Sequence, residues 1–371
     1  MEIAPYRLNV ADGVLDDLRR RVSSTRWPSA APGPDWQLGA DLEYLRTLAN
    51  YWAGGFNWRA AEDRINSYQQ FLAEIDGVSI HFVHSRANSG PGIPIVLTHG
   101  WPSAFIEYLP LLDLLSGAFD VVVPSLPGYG FSQRPEELGV NYRRVAGLWH
   151  ALMTGLGYER YAVGGGDFGA GVASLIALDH PESVIGVHLT NFELLPRPDE
   201  IESMTVEEQA FFDASSAWWE REDGYKRIQG TKPQTLSYAL TDSPVGLLAW
   251  ILEKWRSWTD CAGDPVAKFG RDFLLELATI YWQNGTIATS IRDYYDNRWH
   301  PSLPDMTHRI ERPTAYAVFD HYFGGEPSPP RPLVERLYNV TRWTEMPRGG
   351  HFAAIEEPQL VAADIAECFA T

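Results

Sequence analysis

The stretch Tyr161-Ala162-Val163-Gly164-Gly165-Gly166-Asp167-Phe168-Gly169-Ala170-Gly171 constrains the fold more than any other part of the chain. β-prone residues lead into it, glycines crowd the change of direction, and a helix-like run from Val172 to Leu178 follows. This small-x-nucleophile-x-small pattern predicts a sharp strand-to-helix turn. The apex residue is held in a strained conformation, and glycines let helix and strand approach closely. The apex here is Asp167, where such a turn normally presents serine. That substitution sets the chemistry. Serine makes acyl-enzymes, whereas a carboxylate attacks carbon and makes an alkyl ester that water then cleaves at the carbonyl. Substrates with a strained or departing C–O or C–halogen bond suit those two steps.

Composition bears on what such a nucleophile would meet. A chain of 371 residues that is 45% apolar and 21% charged is globular and long enough for a large core, either one elaborated domain or a domain with an insertion. Thirty basic against 48 acidic residues give a net charge of −18, which argues against nucleic acid or an anionic membrane as partner and fits a neutral, apolar substrate better. The start, Met1-Glu2-Ile3-Ala4-Pro5-Tyr6-Arg7, lacks a basic region followed by an apolar one. No later run approaches the roughly 18 apolar residues of a membrane span. The expectation is a soluble, cytoplasmic protein with no membrane anchor. Cys261 and Cys368 are too few for a disulfide framework or a zinc cluster, so the reactive group is not a thiol.

The pattern divides the chain into four stretches: 1–70, 71–195, 196–304 and 305–371. The first carries amphipathic helical patterns, such as Val14 to Val22, with aromatic anchors at Trp27-Pro28, Trp36, Tyr51-Trp52 and Phe56-Asn57-Trp58. It reads as a wrapping segment. The second alternates strands, at Val78 to Val83, Ile95 to Thr98 and Phe119 to Val123, with helical stretches such as Arg143 to Leu156, the signature of a largely parallel sheet. The third is helical and tryptophan-rich, with Trp218, Trp219, Trp250, Trp255, Trp258 and Trp282, and reads as a cap inserted into the core. Strand patterns return in the fourth, at Thr314 to Phe319 and Val340 to Trp343.

Several motifs fall where this order would need them. Thr98-His99-Gly100-Trp101-Pro102-Ser103 follows a strand directly, and Arg348-Gly349-Gly350-His351-Phe352 follows the last one. With Arg26-Trp27-Pro28, Leu126-Pro127-Gly128-Tyr129-Gly130-Phe131-Ser132 and the Asp167 turn, the chain resembles the epoxide hydrolases of the microsomal type over nearly its whole length. The resemblance implies an α/β-hydrolase core with a mostly parallel eight-stranded sheet, a helical cap and an N-terminal wrapping segment. It implies Asp167 as nucleophile, His351 as the base that activates water, and an oxyanion hole from the backbone of Trp101 and Phe168. Pro102 has no N–H, which leaves Trp101 as the donor in its turn. Gly224-Tyr225-Lys226-Arg227 and Arg292-Asp293-Tyr294-Tyr295 look like the family's two lid tyrosine motifs, placing Tyr225 and Tyr294 at the epoxide oxygen, with Tyr295 as fallback for the second.

The chain departs from the family in two places. The family sets a glutamate three residues after a strand-closing phenylalanine, yet Phe319 plus three is Tyr322. Glu326, three after Phe323, is the first choice for the acid that orients His351, and Asp320 at the strand end is the second. Phe168 stands where members often carry tryptophan. Haloalkane dehalogenases share the aspartate turn but hold a halide with an indole N–H at that place, which phenylalanine lacks. A haloalkane dehalogenase-like hydrolase and a non-catalytic ligand-binding relative remain the alternatives. The resemblance implies no metal or organic cofactor and a small apolar epoxide as substrate, which the aromatic lid would suit if it is aryl. Oligomeric state stays open, with a homo-oligomer among the options. Four lysines against 26 arginines suggest a GC-rich bacterial genome, and detoxification or natural-product assembly as the setting.

Overall fold

Two apolar runs, Ile95-Val96-Leu97 and Val121-Val122-Val123, lie side by side at the centre of the sheet, covered on both faces. Continuous rather than alternating hydrophobicity is what a strand sandwiched between helices requires. The computed structural model describes residues 1–33, 35–301 and 309–369. Its strands are β1 (Glu2–Tyr6), β2 (Gln70–Ile75), β3 (Val78–Ser85), β4 (Ile93–Thr98), β5 (Phe119–Pro124), β6 (Tyr161–Gly165), β7 (Val184–Leu189), β8 (Ile310–Val318) and β9 (Tyr338–Glu345). They form one sheet in the order β1-β2-β3-β5-β4-β6-β7-β8-β9. Pairing is antiparallel from β1 to β5 and parallel from β5 onwards to β9. Asp76 and Gly77 join β2 to β3 with positive φ at both residues, 52° and 76°, the two-residue turn whose twist matches a hairpin.

Among the described residues the sheet has nine strands, one more than the expected eight. The addition is β1, which lies inside the stretch read as a helical wrap and pairs with β2 from Glu2↔Glu74 to Tyr6↔Gln70. An edge strand with one solvated face and a proline at Pro5 has no apolar run to betray it.

Three helices among the described residues follow β1 before β2. Asp12–Ser23 buries Leu15, Leu18 and Val22, a spacing that puts all three on one face. Leu42–Gly54 and Trp58–Ile65 reach the helix Arg271–Gln283 through three polar contacts: Trp52 Nε1 to Thr279 Oγ1 at 3.0 Å, Tyr51 OH to Asp272 at 2.8 Å, and Arg64 to Glu276 at 2.6 Å. Trp52 and Trp58 are each about 2% exposed. Burial of a large apolar side chain stabilises by roughly 1.5–3 kcal/mol, so these indoles contribute more than the surface pairs around them.

Between β7 and β8 lie helices that include Val206–Glu222, Gly224–Gln229, Pro244–Ser257, Arg271–Gln283 and Arg292–Trp299. These helices form a layer over the C-terminal ends of the parallel strands. The boundary expected at residue 304 falls outside the described residues. No helix among the described residues is long and apolar enough to cross a membrane.

Candidate active site

Strand β6 ends at Gly165, the helix Phe168–Asp179 starts at Phe168, and Asp167 between them has φ 53° and ψ −131°. A non-glycine residue at positive φ costs on the order of 1–3 kcal/mol, and the surrounding glycines show what enforces it. A Cβ on Gly169 would stand 1.9 Å from the Thr98 carbonyl oxygen, and one on Gly100 would stand 2.3 Å from Asp167 Cβ. Helix, turn and strand can therefore meet only where side chains are missing. The Asp167 N–H donates to Asn191 Oδ1 at 2.6 Å, and Asn191 Nδ2 donates to the Tyr322 hydroxyl at 2.5 Å. Asn191 escaped the sequence reading. Its signal was a polar pair, Thr190-Asn191, following the apolar end of a buried strand.

The Trp101 backbone N–H donates to Asp167 Oδ1 at 2.8 Å. The Trp101 ring, fully buried, stacks on Tyr225 at 5.5 Å with 8° between planes and meets Tyr294 edge-on at 5.6 Å. Its indole N–H finds no acceptor among the described residues. Phe168 packs against Tyr142 at 5.5 Å and Tyr294 at 4.9 Å.

His351 approaches from the opposite side, its Nε2 3.5 Å from Asp167 Oδ2. Trp258 and Phe323 enclose the ring at centroid distances of 4.9 and 4.6 Å, and the His351 N–H donates to the Trp258 carbonyl at 2.9 Å. Neither ring nitrogen makes a hydrogen bond among the described residues. Glu326 lines the same cavity but is turned away: its Oε1 accepts from Ser215 Oγ at 2.8 Å and from Trp219 Nε1 at 2.6 Å, both on the helix Val206–Glu222. The expected bond from Glu326 to His351 is thus not made. Ser215 and Trp219 take the carboxylate instead, and Gly324 and Gly325 just before it adopt φ of 61° and 130°. A Cβ on Gly324 would collide with the Ser257 carbonyl at 1.9 Å, so the turn depends on glycine. Burial pushes the Glu326 carboxyl above its usual range, and the bonds from Ser215 and Trp219 oppose that. Asp320, the second choice, is exposed just beyond β8.

Tyr225 and Tyr294 are 5% and 8% exposed and face each other with ring centroids 5.8 Å apart. Burial pushes both phenols well above their usual range and the Asp167 charge adds to it, so both remain proton donors. The fallback, Tyr295, instead faces Trp299 and His300 at 6.3 and 6.4 Å and does not line the cavity. Arg134 locks the helix that carries Tyr294. It bonds Asp293 and reaches Asp296 at 2.6 Å from a side chain 2% exposed. Removing one member of so buried a set would strand uncompensated charge, at a cost of about 3–5 kcal/mol. The three partners lie 159 and 162 residues apart in sequence, and no local pattern pairs them.

Asp167, Phe168, Tyr225, Tyr294, Phe323 and Glu326 line a cavity of about 380 Å³. Of the tryptophans Trp218, Trp219, Trp255 and Trp258 only Trp219 lines it; Phe192, Phe211, Phe212 and Phe323 line it beside the tyrosines. Trp255 and Trp258 are packed beneath, Trp255 stacked on Phe352 at 3.9 Å. Glu193 and Lys226 also line the cavity. No group of three or more His, Cys, Asp or Glu among the described residues is placed to hold a metal ion.

The arrangement can therefore present one carboxylate oxygen to a carbon electrophile while two phenols face it and an imidazole stands behind. Family comparison agrees with the geometry. Residues 3–108 match the family described as Epoxide hydrolase N terminus, and residues 93–259 match the alpha/beta hydrolase fold. Juvenile hormone epoxide hydrolase 2 of Ctenocephalides felis is 34% identical over 97% of this chain and 84% of its own. Epoxide hydrolase 1 of Oryctolagus cuniculus is 32% identical over 98% of this chain and 88% of its own. The crystal structure of juvenile hormone epoxide hydrolase from the silkworm Bombyx mori has a TM-score of 0.89 at 29% identity, covering 99% of this chain and 94% of that one.

Proposed function

Because the chain belongs to the epoxide hydrolases of the microsomal type and has their α/β-hydrolase fold, we propose that it converts an epoxide to a vicinal diol through an ester on Asp167. One observation carries this reading. Asp167 Oδ1 is held by the Trp101 N–H, which leaves Oδ2 as the oxygen able to attack, toward a cavity where the Tyr225 and Tyr294 phenols converge.

The cycle follows from those positions. Oδ2 attacks one oxirane carbon, the C–O bond breaks, and the departing oxygen takes a proton from Tyr225 or Tyr294. Two phenols share the charge that develops on that oxygen. Oδ1 becomes the carbonyl oxygen of the ester and already lies in the hole formed by Trp101, with the Phe168 N–H as second donor. Water deprotonated by His351 then attacks that carbonyl carbon. The tetrahedral oxyanion is stabilised at Oδ1, where one such donor is worth about 2.7–4 kcal/mol. Collapse expels the alkoxide, which takes the proton held by His351 to complete the diol, and the carboxylic acid left on Asp167 gives up its proton to restore the tyrosinate. The helices of residues 196–304 act as the lid that brings both tyrosines over the core.

Glu326 is our orienting acid, with Asp320 as the alternative. Glu326 is held by two neutral donors, and a charged imidazolium would compete well for it, since charge-assisted bonds are roughly twice as strong. Glu326→Ala is expected to slow hydrolysis of the ester by about 10²-fold or more, on the scale of a lost acid–base partner, and Asp320→Ala by less than tenfold. Single-turnover kinetics measures both rates, and a larger loss at Asp320 would reverse the assignment.

The unsatisfied indole N–H of Trp101 favours the dehalogenase as second reading, since it could hold a halide. Against it, phenols have no task in halide departure. The test is a panel of aryl epoxides, alkyl epoxides and haloalkanes, assayed for diol and for halide. Diol from epoxides is expected, with Tyr225→Phe and Tyr294→Phe each slowing ester formation about 10- to 100-fold and the pair together more than either. Halide release with no diol would establish the dehalogenase, and turnover of nothing in the panel would favour a non-catalytic relative.

A further inference from the structure

Glu193 is a carboxylate inside the substrate cavity that the cycle above does not use. It follows β7 by four residues, next to Phe192, and lines the cavity with Asp167, Tyr225 and Tyr294. Its side chain is half-buried and lines the cavity. Tyr142 fixes one oxygen, its hydroxyl donating to Oε1 at 2.6 Å. Tyr142 is itself anchored, its N–H donating to Asn297 Oδ1 at 3.0 Å and its ring against Phe168. Oε2 receives no hydrogen bond and Glu193 forms no ion pair among the described residues; the Lys226 ammonium, whose charge acts on it, lies 4.2 Å over the Trp219 ring.

A carboxylate oxygen left without a donor is costly once a substrate displaces water around it. Burial has already pushed the Glu193 carboxyl up to about 7, with the Lys226 charge and the Tyr142 bond opposing the rise. A hydrogen-bond donor on the substrate would relieve that cost. Anionic groups would not, since Asp167, Glu193 and Glu326 all face the cavity while Lys226 and Arg298 are exposed at its rim.

We propose that Glu193 is a substrate-recognition residue whose Oε2 accepts a hydrogen bond from a hydroxyl or ammonium group carried by the epoxide, orienting the oxirane against Asp167. The proposal rests on the epoxide reading and narrows its substrate class to epoxides bearing a donor remote from the ring.

The test compares styrene oxide with its 3- and 4-hydroxymethyl and 3- and 4-aminomethyl derivatives, measuring kcat and KM for the wild type, Glu193→Gln and Glu193→Leu. The wild type should favour at least one donor-bearing epoxide over styrene oxide by about 10- to 100-fold in kcat/KM, the span of one hydrogen bond to a charged group. Glu193→Leu should lose that preference through KM. Glu193→Gln, nearly isosteric and the safer fold, should keep part of it for hydroxymethyl and lose it for aminomethyl derivatives. A preference for aminomethyl over hydroxymethyl would identify the ammonium as the group bound, and the reverse the hydroxyl. Equal ratios in all three proteins would overturn this proposal alone. No diol from any of the five epoxides with the wild type would overturn the epoxide reading and this proposal with it.

Discussion

Asp167→Asn is expected to abolish turnover, with kcat falling by at least about 10⁴-fold, the scale seen when a covalent nucleophile is removed. The substitution is nearly isosteric, and asparagine, like aspartate, is among the side chains that tolerate positive φ, so the turn at φ 53° should persist. The amide can still accept from the Trp101 N–H, as Oδ1 does at 2.8 Å. What changes is the atom at the Oδ2 position. An amide nitrogen there has its lone pair in conjugation with the carbonyl and does not open an oxirane. Protection by the tyrosines and the fold remains, so substrate binding should survive loss of chemistry. The measurement is initial rate on the freshly prepared variant, with its intact mass read before and after. Activity within tenfold of the wild type from protein that still carries asparagine would sink the ester mechanism. Activity that grows in as the mass returns to that of aspartate would instead support it, because slow deamidation restores the nucleophile.

His351→Gln is expected to divide the cycle. Ester formation needs Asp167 and the phenols, whereas ester hydrolysis needs a base for water, and only the second step should fail. Its rate should drop by about 10²–10⁴-fold, the usual worth of a positioned general base. The ring lies 3.5 Å from Asp167 Oδ2 and is walled by Trp258 and Phe323, so the incoming water has one side from which to reach the ester. The variant should therefore accumulate as a covalent adduct heavier than the free protein by the whole mass of the epoxide, mapped by proteolysis to the peptide containing Asp167. An adduct with haloalkanes alone would make the enzyme a dehalogenase. Wild-type turnover and no adduct would show that His351 is not the base.

Much of this site was legible because its parts are local. The Asp167 turn announces itself through β-prone residues, closely packed glycines and a following helical run, all contiguous. Trp101 and His351 each follow a strand in the sequence, and in the structure they follow β4 and β9 and are brought together, because in a parallel sheet the strand ends are gathered along one edge. β1 was not legible, since an edge strand solvated on one face and carrying Pro5 has no alternation of its own. Asn191 and Glu193 read as a polar strand end with no motif. The cavity's aromatic wall was misplaced for a related reason: Trp255 and Trp258 have the composition of a substrate surface but pack as core, and phenylalanines from three separate stretches took the role.

The acid beside His351 marks where local information stops. Residue spacing could offer Glu326 and Asp320, and it could place both near the end of β8. It could not say that Glu326 would bond Ser215 and Trp219 and not His351, because those partners lie 111 and 107 residues away. The same holds for Arg134, paired across 159 and 162 residues with the helix that carries Tyr294. Sequence by itself determined the fold and the family and singled out Asp167, His351, Tyr225 and Tyr294 for the roles proposed above, since backbone propensity, glycine-dependent turns and hydrophobic period are properties of neighbours in the chain. Tertiary structure alone decided the partner of each buried charge, because a buried carboxylate takes the nearest donor in space and distance along the chain has no bearing on it.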